Sequence, residues 1–345
     1  MSPGNSVKRT ELEIEKDVDY IKKLKKARRV VFAVLGVSLG IFLAIATLAV
    51  LKEGIGTFLQ TIYSINLFYY ALAFVVLFLG YLMRFPKWEM YLKALKVKVN
   101  RFDNLMIYFS MYSMDITPGR WGRGVVSYTL NRLTGTKFAR TFPAVVADIF
   151  TDFIGFGMLA VISALFVGKY IAVSLIITAV LLLPFVFLYH RRPFEYMKRK
   201  LSNIKSMASF FEVGTLYFRE KNRLGSREYI YSVLFTFPSV VLTGLALYFV
   251  ILAFGIHLSL VYIPIVMFIY SSSLLFGIVT GVPATLGVTD AALVSYLSLF
   301  FGGIGVTFGI ASVITIFFRI VSVWFVQGFG SVALFHTMRH WIIRS

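Results

Sequence analysis

Apolar residues run in blocks along this chain, and basic residues collect in the gaps between them. The run 30–51, "VVFAVLGVSLGIFLAIATLAVL", is long enough to cross a bilayer as a helix, which takes about 20 apolar residues. Comparable runs cover 66–83, 142–167, 170–189, 229–255, 259–280 and 306–330. Two shorter apolar segments, 105–116 and 291–301, adjoin breaks that contain proline and glycine. One break is "PGRWG", from Pro118 to Gly122; the other is "PATLG", from Pro283 to Gly287. Each sets a glycine four residues after its proline. The pattern predicts an all-α fold, a polytopic transmembrane helical bundle with two Pro/Gly-interrupted short segments that either span or re-enter. The paired breaks read as a pseudo-repeat of two halves, and paired interruptions of this kind point to a transport site. Broken backbone at membrane depth must be buried in protein or line a wet cavity.

Composition supports a membrane protein: 58% of residues are hydrophobic and 15% charged, with 35 Phe and 19 Tyr. A soluble domain averages about 45–50% apolar and about 25% charged. The net charge of +19 sits in the loops beside the spans, as the positive-inside rule requires, so nucleic acid is not an expected partner. Nine Lys/Arg precede residue 30, which predicts a basic cytoplasmic segment 1–29. Leu12, Ile14, Val18, Ile21 and Leu24 could make part of it a surface helix, with a solvated tail as the alternative. Residues 30–335 then form a single transmembrane domain, with 190–228 as a basic cytoplasmic loop of ten Lys/Arg and 336–345 as a cytoplasmic tail. "RFPKWEMYLKALKVKVNRFDN", after the 66–83 span, reads as an amphipathic helix lying in the interface plane. The chain has no cysteine, which excludes disulfides and thiolate metal sites.

Charges inside apolar spans are costly and default to a functional reading. Asp148 and Asp152 are spaced i,i+4 on one helix face, where two carboxylates repel unless each finds a cation or a proton. Arg319 sits within the last span with no acidic neighbour in its own helix, so it is expected to pair with an aspartate across the bundle. Both structural salt bridges and substrate contacts fit these three residues. Asp290 follows the second break and either joins them or caps the helix that starts at Ala291. Pro118, Gly119 and Gly122 suggest a helix start with open amides, and Arg120 and Arg123 beside it suit a phosphate group. The competing reading is two positive-inside arginines at a helix end. His336 and His340 are spaced i,i+4 without a third ligand nearby, so no metal is expected. Asn66 is a candidate polar lining residue. No nucleotide-hydrolysis loop, nucleophile elbow or zinc-protease motif occurs, and no cofactor is implied.

The stretch "TPGRWGRGVVSYTLNRLTGTKFARTFPAVVADIFTDFIGF" resembles the first signature of the flippase-like membrane family that includes the transmembrane region of lysylphosphatidylglycerol synthase. That signature runs P-G-x-x-G-E, a basic helix, then V-x-E-R-x-x-D. Pro118, Gly119, Gly122 and Asp152 match it, and Asp148 stands for the Glu. "GVPATLGVTDAALVSYLSLF" resembles the second signature, P-G-G-x-G-x-x-E, through Pro283, Gly287 and Asp290. "FFRIVSVWFVQGFG" resembles the closing R-x-x-x-x-W-x-x-x-x-G through Arg319, Trp324 and a displaced glycine, Gly328 or Gly330. Arg123 departs from an acidic position, Ile149 from an arginine, and Ala284 and Thr285 from paired glycine positions. The resemblance implies movement between leaflets of an anionic phospholipid or a polyprenyl-phosphate-linked lipid. Arg120, Arg123, Gly119, Gly122, Asp148, Asp152, Asp290 and Arg319 would then meet the substrate. No soluble synthase domain follows the membrane part, so aminoacyl transfer is not expected and the chain reads as a transporter rather than an enzyme. Two alternatives are an integral-membrane transferase acting on a lipid phosphate and a non-catalytic partner of a cytoplasmic lipid-modifying enzyme. The resemblance also suggests a homodimer.

Overall fold

A computed structural model describes residues 55–115, 117–168, 170–201, 217–280 and 287–344, with isolated positions outside these runs. The chain divides into two compact units, Met1–Ala44 and Ile45–Ser345, and the elements described here belong to the second. The surface segment and most of the span expected before residue 52 lie outside the described residues, as does Pro283.

The described elements are helices. They are α1 (Ile55–Tyr63), α2 (Leu67–Met83), α3 (Phe85–Ala94), α4 (Arg101–Ser110) and α5 (Val125–Thr134). Next come α6 (Phe138–Val167), α7 (Ile171–Tyr189), α8 (Arg191–Leu201) and α9 (Ser226–Ala253). The last are α10 (Ile263–Val279), α11 (Val288–Phe301), α12 (Phe308–Arg319) and α13 (Val326–Arg344). Among the described residues, five runs are long and apolar enough to cross a membrane: Leu67–Ala94, Phe138–Val167, Ser226–Ala253, Leu260–Val279 and Phe308–Met338. α7 adds a 19-residue apolar helix where 170–189 was expected to span.

Local sequence explains the ends. Asn66 caps α2, its Oδ1 accepting from the Phe68 amide at 3.0 Å, so it is a cap rather than a cavity lining. Pro86, which has no amide hydrogen, sits in the first turn of α3, where none is needed. α3 nevertheless continues α2 so closely that Leu67–Ala94 forms one 28-residue run. This corrects the in-plane reading of that segment: Arg84 and Lys87 are not interface cations but are 2% and 0% exposed. α6 packs against α5, α7, α9 and α10; α13 packs against α4 and the turn that follows it.

The first break begins after α4, which tightens into a 3-10 turn (Met111–Met114). A second 3-10 helix, Pro118–Gly124, then leads into α5. The second break separates α10 from α11. In both breaks the second residue after the proline adopts a left-handed backbone: Arg120 at φ 63° and Thr285 at φ 57°. Such a conformation costs a non-glycine residue roughly 1–2 kcal/mol, and strain of this kind collects at functional sites. The two breaks thus share a backbone peculiarity as well as a residue pattern.

Candidate functional site

The site grows from one face of α6. Asp148 and Asp152 are both fully buried, as their spacing allows, and the repulsion between them is resolved by two bridging cations. Lys87 Nζ lies 3.0 Å from Asp148 Oδ1 and 2.7 Å from Asp152 Oδ1. Arg123 Nη1 donates to Asp148 Oδ2 at 2.6 Å and to Asp152 Oδ2 at 3.0 Å. Asp152 also accepts from Arg84 at 3.2 Å and from Arg120 at 3.2 Å. A third carboxylate, Asp115, pairs with Arg123 through both oxygens and lies 3.9 Å from Arg120 Nε. Four cations therefore face three carboxylates: Arg84, Lys87, Arg120 and Arg123 against Asp115, Asp148 and Asp152. The cluster carries one net positive charge. Such pairs persist away from water only when geometry and hydrogen bonding offset their desolvation, and Thr236 and Thr151 serve this purpose around Lys87.

Aromatic rings support the cluster. Arg84 and Arg120 lie over the Phe156 ring, 5.7 and 5.1 Å from its centroid. Arg123 lies 4.8 Å from the centroid of Tyr112, whose hydroxyl donates to Tyr108 at 2.7 Å.

The residues around the second break contribute a separate pair. Arg319, the last residue of α12, donates through Nε to Asp290 on α11, so its cross-bundle partner is Asp290 rather than Asp148 or Asp152. α11 begins at Val288, not Ala291, and Asp290 closes its first turn by accepting the Gly287 amide at 2.8 Å. Asp290 therefore both caps and pairs, two roles that the sequence had set as alternatives. Immediately after Arg319 the chain forms a π-helical turn, Ile320–Phe325, which contains Trp324. π-turns inside longer helices are frequent at functional sites.

Between the cluster and the pair is a cavity of about 80 Å³. Arg84, Asp115, Arg120 and Phe156 line one side; Thr285, Thr289 and Arg319 line the other. The structure separates the two arginines expected to share a ligand. Arg120 reaches the cavity, whereas Arg123, fully buried, stands behind it among the carboxylates. Asp148, Asp152 and Asp290 likewise stand behind the lining, as its supports.

Two of the amides expected to be open at this break are engaged. The Arg120 amide donates to Thr117 O at 2.9 Å, and the Gly122 amide donates to Thr117 Oγ1 at 2.6 Å. Gly122 is needed for another reason, because a Cβ there would meet Thr117 Oγ1 at 2.7 Å and Met114 O at 2.8 Å. Gly119 lies in the same 3-10 helix. No group of three or more His, Asp or Glu side chains arranged to hold a metal occurs among the described residues.

The family model for the lysylphosphatidylglycerol synthase TM region matches residues 32–330. The chain belongs to that family. It is also similar to a UPF0104 membrane protein of Methanothermobacter thermautotrophicus, at 22% identity over 72% of this chain and 79% of that one. This member of the lysylphosphatidylglycerol synthase TM-region family is a multi-pass membrane protein. Two of its departures from the signature are buried, one in the cluster and one next to Asp148 in sequence. Arg123 supplies a cation where the resemblance implies an acid, and Ile149 is a buried apolar residue where it implies an arginine.

Sequence reasoning missed Arg84, Lys87 and Asp115. The only available signal was the i,i+3,i+7 spacing of Arg84, Lys87 and Tyr91, which places them on one face of a helix. By composition alone the first two are indistinguishable from interface cations.

Proposed function

We propose that this protein moves a phosphate-bearing lipid between the two leaflets of a membrane. The observation that carries this reading is the cavity at the meeting of the two breaks, faced by a buried cluster with one positive charge in excess. Of the two cluster cations that line the cavity, Arg120 is more exposed than Arg84 and is the one placed to meet an anion. It lines the cavity, is 15% exposed, and holds its guanidinium over Phe156. Guanidinium groups match phosphate oxygens in charge and in fork geometry. The breaks supply the irregular backbone that a substrate path through a membrane requires. Family membership supports the same reading through the resemblance given above. The chain carries no motif for ATP hydrolysis, so movement is passive or ion-coupled in this proposal. The distribution of basic segments supports cytoplasmic termini.

The test is a leaflet-transfer assay on the purified chain in liposomes with a fluorescent phosphatidylglycerol probe. Arg120→Gln leaves three cations against three carboxylates, so the protein should fold. Its transfer rate should fall about ten-fold or more, the scale of a lost charged hydrogen bond. Arg120→Lys should recover part of the rate. Unchanged transfer in folded Arg120→Gln protein would remove Arg120 from the path.

A further inference from the structure

We infer that the outer face of α8, level with the start of α9, is a docking surface for the anionic headgroups of one leaflet, separate from the cavity. Its occupant is the membrane surface as a binding partner, not a lipid in transit. This surface is independent of the lipid-transfer reading, and none of its residues lines the cavity.

Charge is distributed unevenly between the two ends of the bundle. α9 has 28 residues, which at about 1.5 Å each outreach a hydrocarbon core of about 30 Å. Arg227 lies in its first turn, and its far end, at Ala253, accepts the Asn66 amide at 2.7 Å. The connection 254–262 at that far end contains no Lys, Arg, Asp or Glu. α8 lies at the near end, where Phe194 meets Phe218 just before α9, with ring centroids 5.0 Å apart. Its 11 residues, "RRPFEYMKRKL", carry five cations and one carboxylate.

The rotation of α8 decides what those charges face. Phe194 is buried, and Lys198 donates to Thr215 Oγ1 at 3.0 Å, so these two hold the inner face. Arg191 pairs with Glu195 at 3.0 Å. Arg192, Tyr196 and Arg199, spaced i, i+4 and i+7, take the outer face together with Lys200, and all four are exposed.

Two features put that face at headgroup depth. α7 is a 19-residue apolar helix with Leu175, Ile176 and Leu183 exposed, and His190 alone separates it from α8. A helix of that length reaches across the hydrocarbon core, so α8 starts where α7 leaves it. The second feature is a pair of cation–aromatic contacts. Lys200 lies 5.1 Å from the ring centroid of Tyr196, and Arg227 lies 5.5 Å from that of Tyr231. Exposed Leu234 follows Tyr231 along α9, so Arg227 and Tyr231 mark the level at which a spanning helix passes from lipid to water. Tyrosine and basic side chains are the anchors enriched at that level. The Tyr196 ring, 62% exposed among cations, suits a layer that is part apolar and part charged. Each cation near such a surface multiplies the preference for anionic lipid by roughly five-fold, so Arg192, Arg199 and Lys200 together favour it by roughly a hundred-fold.

The absence of cysteine makes the test direct, since one introduced thiol can be labelled alone. Tyr196→Cys and Ile230→Cys are made separately and spin-labelled. The full chain is placed in nanodiscs of phosphatidylcholine, alone or mixed with phosphatidylglycerol. Collision of the label with a neutral, water-soluble nickel chelate is read by electron paramagnetic resonance. The label at 196 should be shielded several-fold more when phosphatidylglycerol is present. High salt should erase the difference, because screening shortens from about 10 Å at 0.1 M to about 3 Å at 1 M. The label at 230, on a spanning helix, should report the same access in both nanodiscs. Adding Arg192→Gln, Arg199→Gln and Lys200→Gln to Tyr196→Cys should abolish the lipid dependence in protein that still elutes as a single species. Adding Arg120→Gln instead should leave it intact. Equal access at 196 in both nanodiscs would overturn the inference and give the face to water, with an acidic protein as its alternative occupant. A lipid dependence that survives the three Gln substitutions would overturn it as well, because these charges would not be its source. Loss of the dependence in the Arg120→Gln variant would overturn the separation from the cavity.

Discussion

Asp152→Asn is expected to yield little folded protein. Asp152 lies within 3.2 Å of all four cations of the buried cluster, and both it and Lys87 are fully shielded from solvent. Its neutralisation leaves four cations against two carboxylates, Asp115 and Asp148, so the excess rises from one charge to two. Removing one partner of a buried ion pair costs roughly 3–5 kcal/mol, because the remaining charge stays buried without compensation. That is a large share of the about 5–15 kcal/mol that holds a typical fold together. The double variant Lys87→Met, Asp152→Asn faces three cations with two carboxylates and returns the excess to one. It should regain monodisperse protein and most of the lost melting temperature. Fluorescence-detected size exclusion and thermal melts of the wild type, both single variants and the double variant decide the matter. A single Asp152→Asn variant that melts like the wild type would show that charge balance does not hold this cluster together.

Gly330→Ala should destabilise the protein, whereas Gly328→Ala should not. A Cβ at residue 330 would lie 2.7 Å from the Ser113 amide nitrogen and 2.9 Å from the Phe109 carbonyl oxygen. Both are backbone atoms of α4 and its 3-10 extension, which cannot turn away as a side chain can. The strain would pass to Tyr108 and Tyr112, the latter lying beneath Arg123, and so to the charge cluster. Overpacking of this kind costs about 1–3 kcal/mol or more. It outweighs the gain of up to about 1 kcal/mol that alanine brings to a helix interior. Gly328 is exposed and would meet nothing within 4 Å, so its substitution by alanine should leave the melting temperature level or raised. Equal melts for the two variants would contradict the close approach of α13 to the 3-10 turn. Of the two glycines near the closing signature, the buried, close-packed one is Gly330.

Arg120, by contrast, is a residue whose loss the fold should survive. It sits at the cavity edge of the cluster and is more exposed than Arg84, which lines the same cavity, or than Lys87 and Arg123, which are fully buried. On the proposed reading, stability and function separate within a few residues. Arg123 and Asp152 support the assembly, and Arg120 faces the cavity.

The sequence by itself determined the class of this protein, the position of most of its helices and the two breaks. Hydropathy over about 20 residues decides whether a helix can span, and Pro118, Gly122 and Gly287 interrupt helices through local backbone chemistry. The shared face of Asp148 and Asp152 was also legible, since helical periodicity alone sets it. The tertiary structure decided which cations answer those carboxylates. Lys87 lies 65 residues from Asp152 in sequence and Arg123 lies 29 away, and no periodicity relates them. Whether a basic residue at the end of a span turns toward headgroups or toward the bundle depends on the rotation of its helix against α6 and α9. That rotation is set by packing across the bundle, which a single helix does not encode. The same reason explains Arg319: a lone intramembrane cation announces that it needs a partner, and only the approach of α11 to α12 selects Asp290.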